Sequence, residues 1–340
     1  MTAVVGTRAD VVALARTRRR RGYAIAIVVL AGLFVAGLTM GSFPIAPWEV
    51  PGVILDPDAG FGRRVVLEWR LPRTLAALAF GAALALSGAV FQTLSRNPLG
   101  SPDVIGFSTG AYTGAIVAVA LAGQATLSVT GGALVGGLAT AVVVYALAYK
   151  RGLSGFRLVV VGIGVTAMLH AVNTWLLLRL QPEVAMSAAI WGVGSLGGVT
   201  WSQLALAALP LAAAVGFLLI ALPALRQLEL GDDAARAHGL RLEPARLGIL
   251  AIGVALTAIV TATTGPIAFV ALTAPQIAKR LVGGSGLPLA ASAIVGAALL
   301  LAADLVAQHA LTDIPAGVVT VVLGGVYLVA LLVREARRAW

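Results

Sequence analysis

Apolar stretches, each close to the length of one bilayer crossing, alternate along this chain with short blocks of charge. A helix needs about 20 predominantly apolar residues to cross a hydrocarbon core of ~30 Å. Stretches of that kind occupy residues 23–43, 72–94, 103–122, 127–149, 156–178, 201–222, 245–263, 265–281, 288–309 and 315–334. The pattern predicts an all-α, polytopic membrane protein with about ten transmembrane helices.

The connections carry the second signal. An even number of spans returns both termini to one side. With the termini inside, the cytoplasmic segments hold Arg8, Arg16, Arg18 to Arg21, Arg96, Lys150, Arg151, Arg157, Arg226, Arg236, Arg241, Arg246, Lys279, Arg280, Arg334, Arg337 and Arg338, which is 19 of the 24 Lys and Arg. Arg63, Arg64, Arg70, Arg73 and Arg179 remain outside. Basic residues concentrate in cytoplasmic loops, and one miscounted helix would scramble the bias. The expected layout is a basic cytoplasmic N-tail (1–22), one transmembrane domain (23–335) with a polar inner loop near 223–244, and a short cytoplasmic tail (336–340), in a multi-pass inner-membrane protein. The basic run Arg16–Arg21 before Tyr23–Met40 resembles a secretory signal, but the apolar run exceeds the usual core and no cleavage site follows it. A retained first helix is expected.

Two outer connections are long. Residues 44–71 contain Pro44, Pro47, Pro51 and Pro57 and are expected to be irregular. Residues 179–200 hold an apolar, Gly-rich stretch too short to cross, expected to form a re-entrant or surface helix. Gly106, Gly110 and Gly114 recur at four-residue spacing, a flat face for close helix approach. The segments Gly81–Leu94 (GAALALSGAVFQTL) and Gly296–Leu311 (GAALLLAADLVAQHAL) echo each other, and such halves would be inverted in the membrane.

Composition agrees with a membrane solvent. The chain is 59% hydrophobic and 11% charged, whereas soluble domains carry about 25% charged residues. The net charge of +10 sits in the loops just counted, so it marks topology and gives no nucleic-acid face. With no cysteine, disulfides and thiolate chemistry are excluded. The only lysines, Lys150 and Lys279, lie outside any Gly-rich phosphate loop, so ATP hydrolysis would need another chain. His170, His238 and His309 are scattered without ligand spacing. Asp304 is the one acidic residue well inside a span, while Arg73 and Asp103 stand at helix ends where side chains reach the interface. An ion-coupled secondary transporter would bury more ionisable groups, and a membrane enzyme would cluster His, Asp or Glu near one face.

The inner loop has its own pattern. Glu229-Leu230-Gly231-Asp232-Asp233 opens a short segment, Ala234–His238, and Gly239 follows. Acidic residues favour a helix start, and Gly just past the end suits a left-handed cap. One or two turns of helix are expected, either as an ordinary solvated loop or as a rigid knob that an external motor could grip.

Several motifs together resemble the siderophore, haem and vitamin B12 ABC importer permeases. They are Arg70-Leu71-Pro72-Arg73-Thr74, the run Arg96-Asn97-Pro98-Leu99-Gly100-Ser101-Pro102-Asp103, Gly265-Pro266-Ile267 with Pro275 to Arg280, and Pro315-Ala316-Gly317. Asp103-Val104-Ile105-Gly106-Phe107, Asn173-Thr174-Trp175, Gly194-Ser195-Leu196, Gly231-Asp232-Asp233 and Leu323-Gly324-Gly325-Val326-Tyr327 resemble the branch formed by the second permease subunits of ferric-enterobactin importers. The resemblance implies a vitamin B12 importer permease-like fold and no cofactor on this chain, with ATP and Mg used by partner subunits. It implies a heterodimer with a homologous permease, two ATPase subunits, an extracytoplasmic siderophore-binding protein and a ferric siderophore as cargo. By the same resemblance, Glu229, Gly231, Asp232, Asp233, Arg236, His238, Gly239 and Leu240 form the coupling helices that dock on the ATPase. Asn97, Pro98 and Leu99 form a cytoplasmic gate, and Arg70 and Arg73 dock the binding protein. Gln276 and Gln308 depart from the His and Arg of some members. Haem or vitamin B12 remains the alternative cargo.

Overall fold

The computed structural model describes residues 8–58, 60–122, 126–150, 155–283, 286–310 and 314–339. Among them the secondary structure is helical throughout. Ten helices build the bundle, in the order expected: α1 (Arg8–Thr39), α4 (Leu71–Ser95), α5 (Phe107–Ala122), α6 (Thr126–Ala148), α7 (Gly155–Leu177), α9 (Trp201–Glu229), α11 (Leu242–Thr264), α12 (Val270–Val282), α13 (Leu289–His309) and α14 (Ala316–Ala339). Four short helices lie in the connections: α2 (Val50–Leu55), α3 (Gly60–Arg64), α8 (Pro182–Trp191) and α10 (Asp232–Ala237). Among the described residues, seven stretches are long and apolar enough to cross a membrane, beside the shorter Phe107–Ala122 and Ala316–Ala330.

The centre is α4, which is buried along most of its length. Helices α1, α7 and α9 instead turn large apolar side chains outward, among them Val28, Ile163, Met168, Leu206 and Ile220. In water that would be a liability; against lipid tails it costs nothing. Small residues bring α4 against its neighbours. Gly81 and Gly296 face each other backbone to backbone, and Gly88 meets the Ala271 carbonyl with no room for a side chain. The echoing segments are thus packing partners. Because Arg73 of α4 also meets Asp304 of α13, the two helices run antiparallel through the Gly81–Gly296 crossing. The glycine face of α5 has a similar use, with Gly110 and Gly114 against Gly132 and Gly136 of α6. Polar bonds add to the centre, since Ser87 donates to the Gly253 carbonyl (2.7 Å) and Thr257 to Ser87 (2.8 Å).

Four helix boundaries differ from the sequence expectation. The basic segment before residue 23 is helical from Arg8; no proline interrupts it, and Ala, Leu and Arg favour helix. The outer connection 44–71 is helical from Gly60 onward and continuous with α4, despite Pro72. A π-helical stretch, Val65–Arg70, ends two positions before that proline, and the Leu71 N–H reaches back to the Val66 carbonyl. The wider turn accommodates a ring that would otherwise collide with the preceding carbonyl. Likewise α9 runs through Pro223 to Glu229, held by buried Leu225 and Leu228. Helix α14 likewise continues to Ala339, through the expected tail. The inner-loop Arg151 lies outside the described residues.

Candidate functional site

Helix α10 forms as the acidic start and glycine end dictate. Gly231 precedes it at φ +109°, and Gly239 follows at φ +81°. Leu240 N–H bonds to the Ala235 carbonyl (3.0 Å) and Gly239 N–H to the Arg236 carbonyl (2.9 Å), the two-bond termination that a left-handed residue permits. One face is anchored by fully buried Ala235, beside buried Leu228 and Leu242. The opposite face exposes Asp233, Arg236 and His238, with Asp233 and Arg236 paired at 3.1 Å. Glu229, at the end of α9, accepts the Leu287 N–H (3.1 Å), so the approach to the knob is tied to the α12–α13 turn.

Asp232 does something different from its neighbour. Its Oδ1 takes Nη2 of Arg246 at 2.5 Å and also Nη2 of Arg96. Burial works to raise the Asp232 pKa, but the Arg246 hydrogen bond, then the charges of Arg246 and Arg96, hold it below the ordinary carboxylate value. Arg96 is the residue just past α4 and sits in the left-handed region at φ +50°, a conformation costly for a side chain with a Cβ. Asn97, Pro98 and Leu99 follow as a tight turn. Asn97 Oδ1 accepts the Leu99 N–H (2.9 Å), and the Asn97 carbonyl accepts the Gly100 N–H (2.9 Å). Every residue expected in the coupling knob and the gate turn therefore lies at one end of the bundle.

That end also gathers the basic loops. Arg18 of α1 donates to the Arg280 carbonyl (3.2 Å) at the end of α12, where a cation complements the helix dipole. Gly155 packs on Ser95, and Arg157 donates to the Lys150 carbonyl (3.0 Å).

At the other end stand Arg70 and Arg73. Arg70 donates to the carbonyls of Leu38 (2.9 Å), Thr39 (3.3 Å) and Phe43 (2.7 Å), closing the last turn of α1. Arg73 grips Asp304 with a fork of two bonds, both 2.8 Å, and Gln308 adds a third to the same carboxylate at 2.7 Å. Both arginines are therefore engaged inside the chain. A cavity of about 460 Å³ lies beside them, walled by Phe43, Phe61 and Trp69. Three of the motif segments also meet at this end: Ser195 N–H bonds to the Thr264 carbonyl (2.8 Å), next to Gly265, and Gly317 N–H to the Gly194 carbonyl (3.1 Å).

Between the two ends the backbone is broken twice. The turn 101–106 reaches alongside α7, where Gly162 faces Ile105. From the opposite side, the non-helical stretch 265–269 leads into α12, whose 13 residues span only about 20 Å. The breaks meet at Asp103, which accepts the Phe269 N–H (3.3 Å) and the Ser108 hydroxyl (2.5 Å). Asp103 therefore bonds inward at the start of α12, contrary to the expectation that it reaches the interface. Irregular backbone survives at membrane depth only where protein or a water-filled cavity covers it. Gln276 donates to Gln92 (2.7 Å), which donates to the Leu272 carbonyl (2.9 Å); the amide thus serves as a link between α12 and α4.

The FecCD transport family matches residues 27–334, nearly the whole bundle. This chain belongs to the FecCD transport family. It is 46% identical to the ferric enterobactin transport system permease protein FepG of Escherichia coli K12, over 92% of this chain and 95% of that one. It is 35% identical to the Fe(3+) dicitrate transport system permease protein FecD of the same organism, over 90% and 96% of the two chains. A chain of a metal-chelate type ABC transporter, solved in an inward-facing conformation, superposes with a TM-score of 0.79 at 27% identity, covering 91% of this chain and 97% of the other. The chain is thus a multi-pass membrane protein with the permease fold of this FecCD family.

The knob motif holds Asp232 and the gate motif begins at Arg96, but their pairing is not legible in the sequence, and Arg246 stands there only among the cytoplasmic charges. The available signal was an Arg directly after a helix end and another four residues into the next helix. Asp103 stands in the sequence as a helix-end acid expected at the interface, and nothing there points to Phe269 as its donor.

Proposed function

We propose that this chain is the transmembrane permease subunit of an ABC importer that moves a ferric siderophore, of the catecholate class to which enterobactin belongs, across the inner membrane. The reading rests on the knob α10: a rigid helix with a buried inner face and an exposed charged outer face, set at the end where the basic loops gather. In this reading both termini are cytoplasmic. ATP is hydrolysed with Mg on two separate subunits, which grip Asp233, Arg236 and His238. A homologous permease completes the pathway as a heterodimer. The turn at Asn97, Pro98 and Leu99 gates its inner mouth. The binding protein docks on the outer rim that Arg70 and Arg73 brace, where exposed Arg64, 3.9 Å from the Glu68 carboxylate, can exchange that exposed pair for an acidic partner. A charged ferric catecholate meets a steep barrier in bare lipid, and the permease replaces that barrier with a conduit. The name of the 46% identical relative supports the cargo class. Both inward acids that ion coupling could use are already engaged, Asp304 by Arg73 and Gln308 and Asp103 by the Phe269 N–H and the Ser108 hydroxyl.

The test is uptake into vesicles holding the permease pair and ATPase, with binding protein outside and radio-iron ferric enterobactin, haem or vitamin B12 offered singly. ATP-dependent uptake of the catecholate alone is expected. Uptake that survives ATP depletion and collapses with the proton gradient would overturn the mechanism, and preference for another cargo would overturn the substrate.

A further inference from the structure

We infer that Arg96 is a positioning residue that carries movement of the knob to the gate turn through its ion pair with Asp232. The inference rests on the importer reading above and adds to it the path by which force arrives.

Three separate elements converge on one carboxylate oxygen. Asp232 is the first residue of α10, Arg96 directly follows α4, and Arg246 stands in the second turn of α11. Helix α10 packs on α9 and α11, and the Arg96 side chain spans from it to the end of α4. The pair is placed where it can move. Asp232 is 29% and Arg96 49% exposed, whereas Arg246 is 11% exposed and fixed within the bundle beside Glu243. Arg246 thus serves as the fixed post, and Arg96 as the moving strut.

Beyond Arg96 the chain is stiff. The two bonds that Asn97 makes, to Leu99 and Gly100, leave the turn little freedom to absorb a displacement. Gly100 is pressed against Ser95 and the Phe91 carbonyl, with no space for a Cβ. A shift of Asp232 therefore moves Arg96 and the turn together. Arg96 holds a left-handed backbone conformation that favours glycine; a glycine would satisfy the backbone more cheaply, but it could not reach Asp232.

The experiment uses the complete transporter in vesicles and reads iron taken up per ATP hydrolysed, with ferric enterobactin as the probe. Arg96→Gln should lower that ratio by at least about five-fold, the lower end of ordinary coupling energies, while hydrolysis continues. Arg96→Lys should recover part of it. The chain has no cysteine, so the paired substitutions Arg96→Cys and Asp232→Cys, combined with cysteine-free partner subunits, give two unique thiols. Joining them with a flexible bismaleimide should restore the ratio that the unjoined pair loses, which a purely structural role would not predict. An unchanged ratio for Arg96→Gln, or a joined pair as uncoupled as the unjoined one, overturns the inference. Absence of ATP-dependent uptake in the parent transporter would instead overturn the importer reading itself, and the inference with it.

Discussion

The two ends of α4 are held by the same chemistry and to opposite effect. At one end Arg73 meets Asp304, which is 1% exposed, in a two-bond fork. At the other, Arg96 meets Asp232, which is 29% exposed and mounted on a helix of six residues. The first acid belongs to a 21-residue helix crossed with α4 at the Gly81–Gly296 contact; the second belongs to a knob on the surface. A charge pair therefore means different things depending on what carries the partner. Buried between two long helices it fixes an orientation, and exposed on a short one it forms a hinged link. The centre of α4, pinned at Gly81 and Gly88, separates the two ends mechanically.

The largest contrast is expected from breaking each pair on its cationic side. Arg73→Ala leaves a fully buried carboxylate with only Gln308 for company, and losing one partner of a buried pair costs about 3–5 kcal/mol. The melting temperature of the purified chain in detergent should fall sharply. An unchanged melting temperature would mean that Asp304 is not held as described, and the contrast between the ends would vanish.

Next in size is the pin between them. Gly88→Ala forces a methyl group into the Ala271 carbonyl, and overpacking of that kind costs about 1–3 kcal/mol. The same substitution at Gly216, where nothing lies within reach of a Cβ, should cost nothing measurable by the same melting assay. Equal effects at the two glycines would remove the idea of α4 as a pinned rod.

These cases show how far the sequence could be read. The ten spans and their order were legible because apolar runs and basic loops are one-dimensional patterns. So was the knob, since Gly231, Asp232 and Gly239 are local signals for a helix start and stop. Pairings across the bundle were not. Arg73 and Asp304 are 231 positions apart, and periodicity says nothing about which of five outer basic residues finds that acid. Arg70 and Arg73 were assigned alike from their motif, yet one closes the last turn of α1 and the other grips α13. The π-helical turn before Pro72 was hidden for a related reason: prolines nearby argued for a loop, and only the packed helix shows how a proline can be accommodated.

A smaller change is expected at the knob end. Arg96→Gln removes half of a partly exposed pair, and such pairs contribute up to about 1 kcal/mol. The melting temperature should therefore barely move, even though transport coupling falls. A destabilisation as large as that of Arg73→Ala would show that the inner pair is a structural clamp, and the two ends would no longer differ.

The smallest effect concerns pH, and its direction follows from the shift of Asp232. The folded carboxylate titrates below its ordinary value, so the link to Arg96 and Arg246 is intact above the unfolded value, about 3.9, and is lost only as pH falls through the depressed one. Because the chain has no cysteine, a spin label on Pro98→Cys reports the gate turn alone. Its mobility should stay constant from pH 8 to 5 and rise only below the ordinary carboxylate range, and the rise should disappear in an Arg96→Gln background. Loosening between pH 8 and 5 would mean that a group other than Asp232 holds the turn, and the hinged link would have to be sought elsewhere.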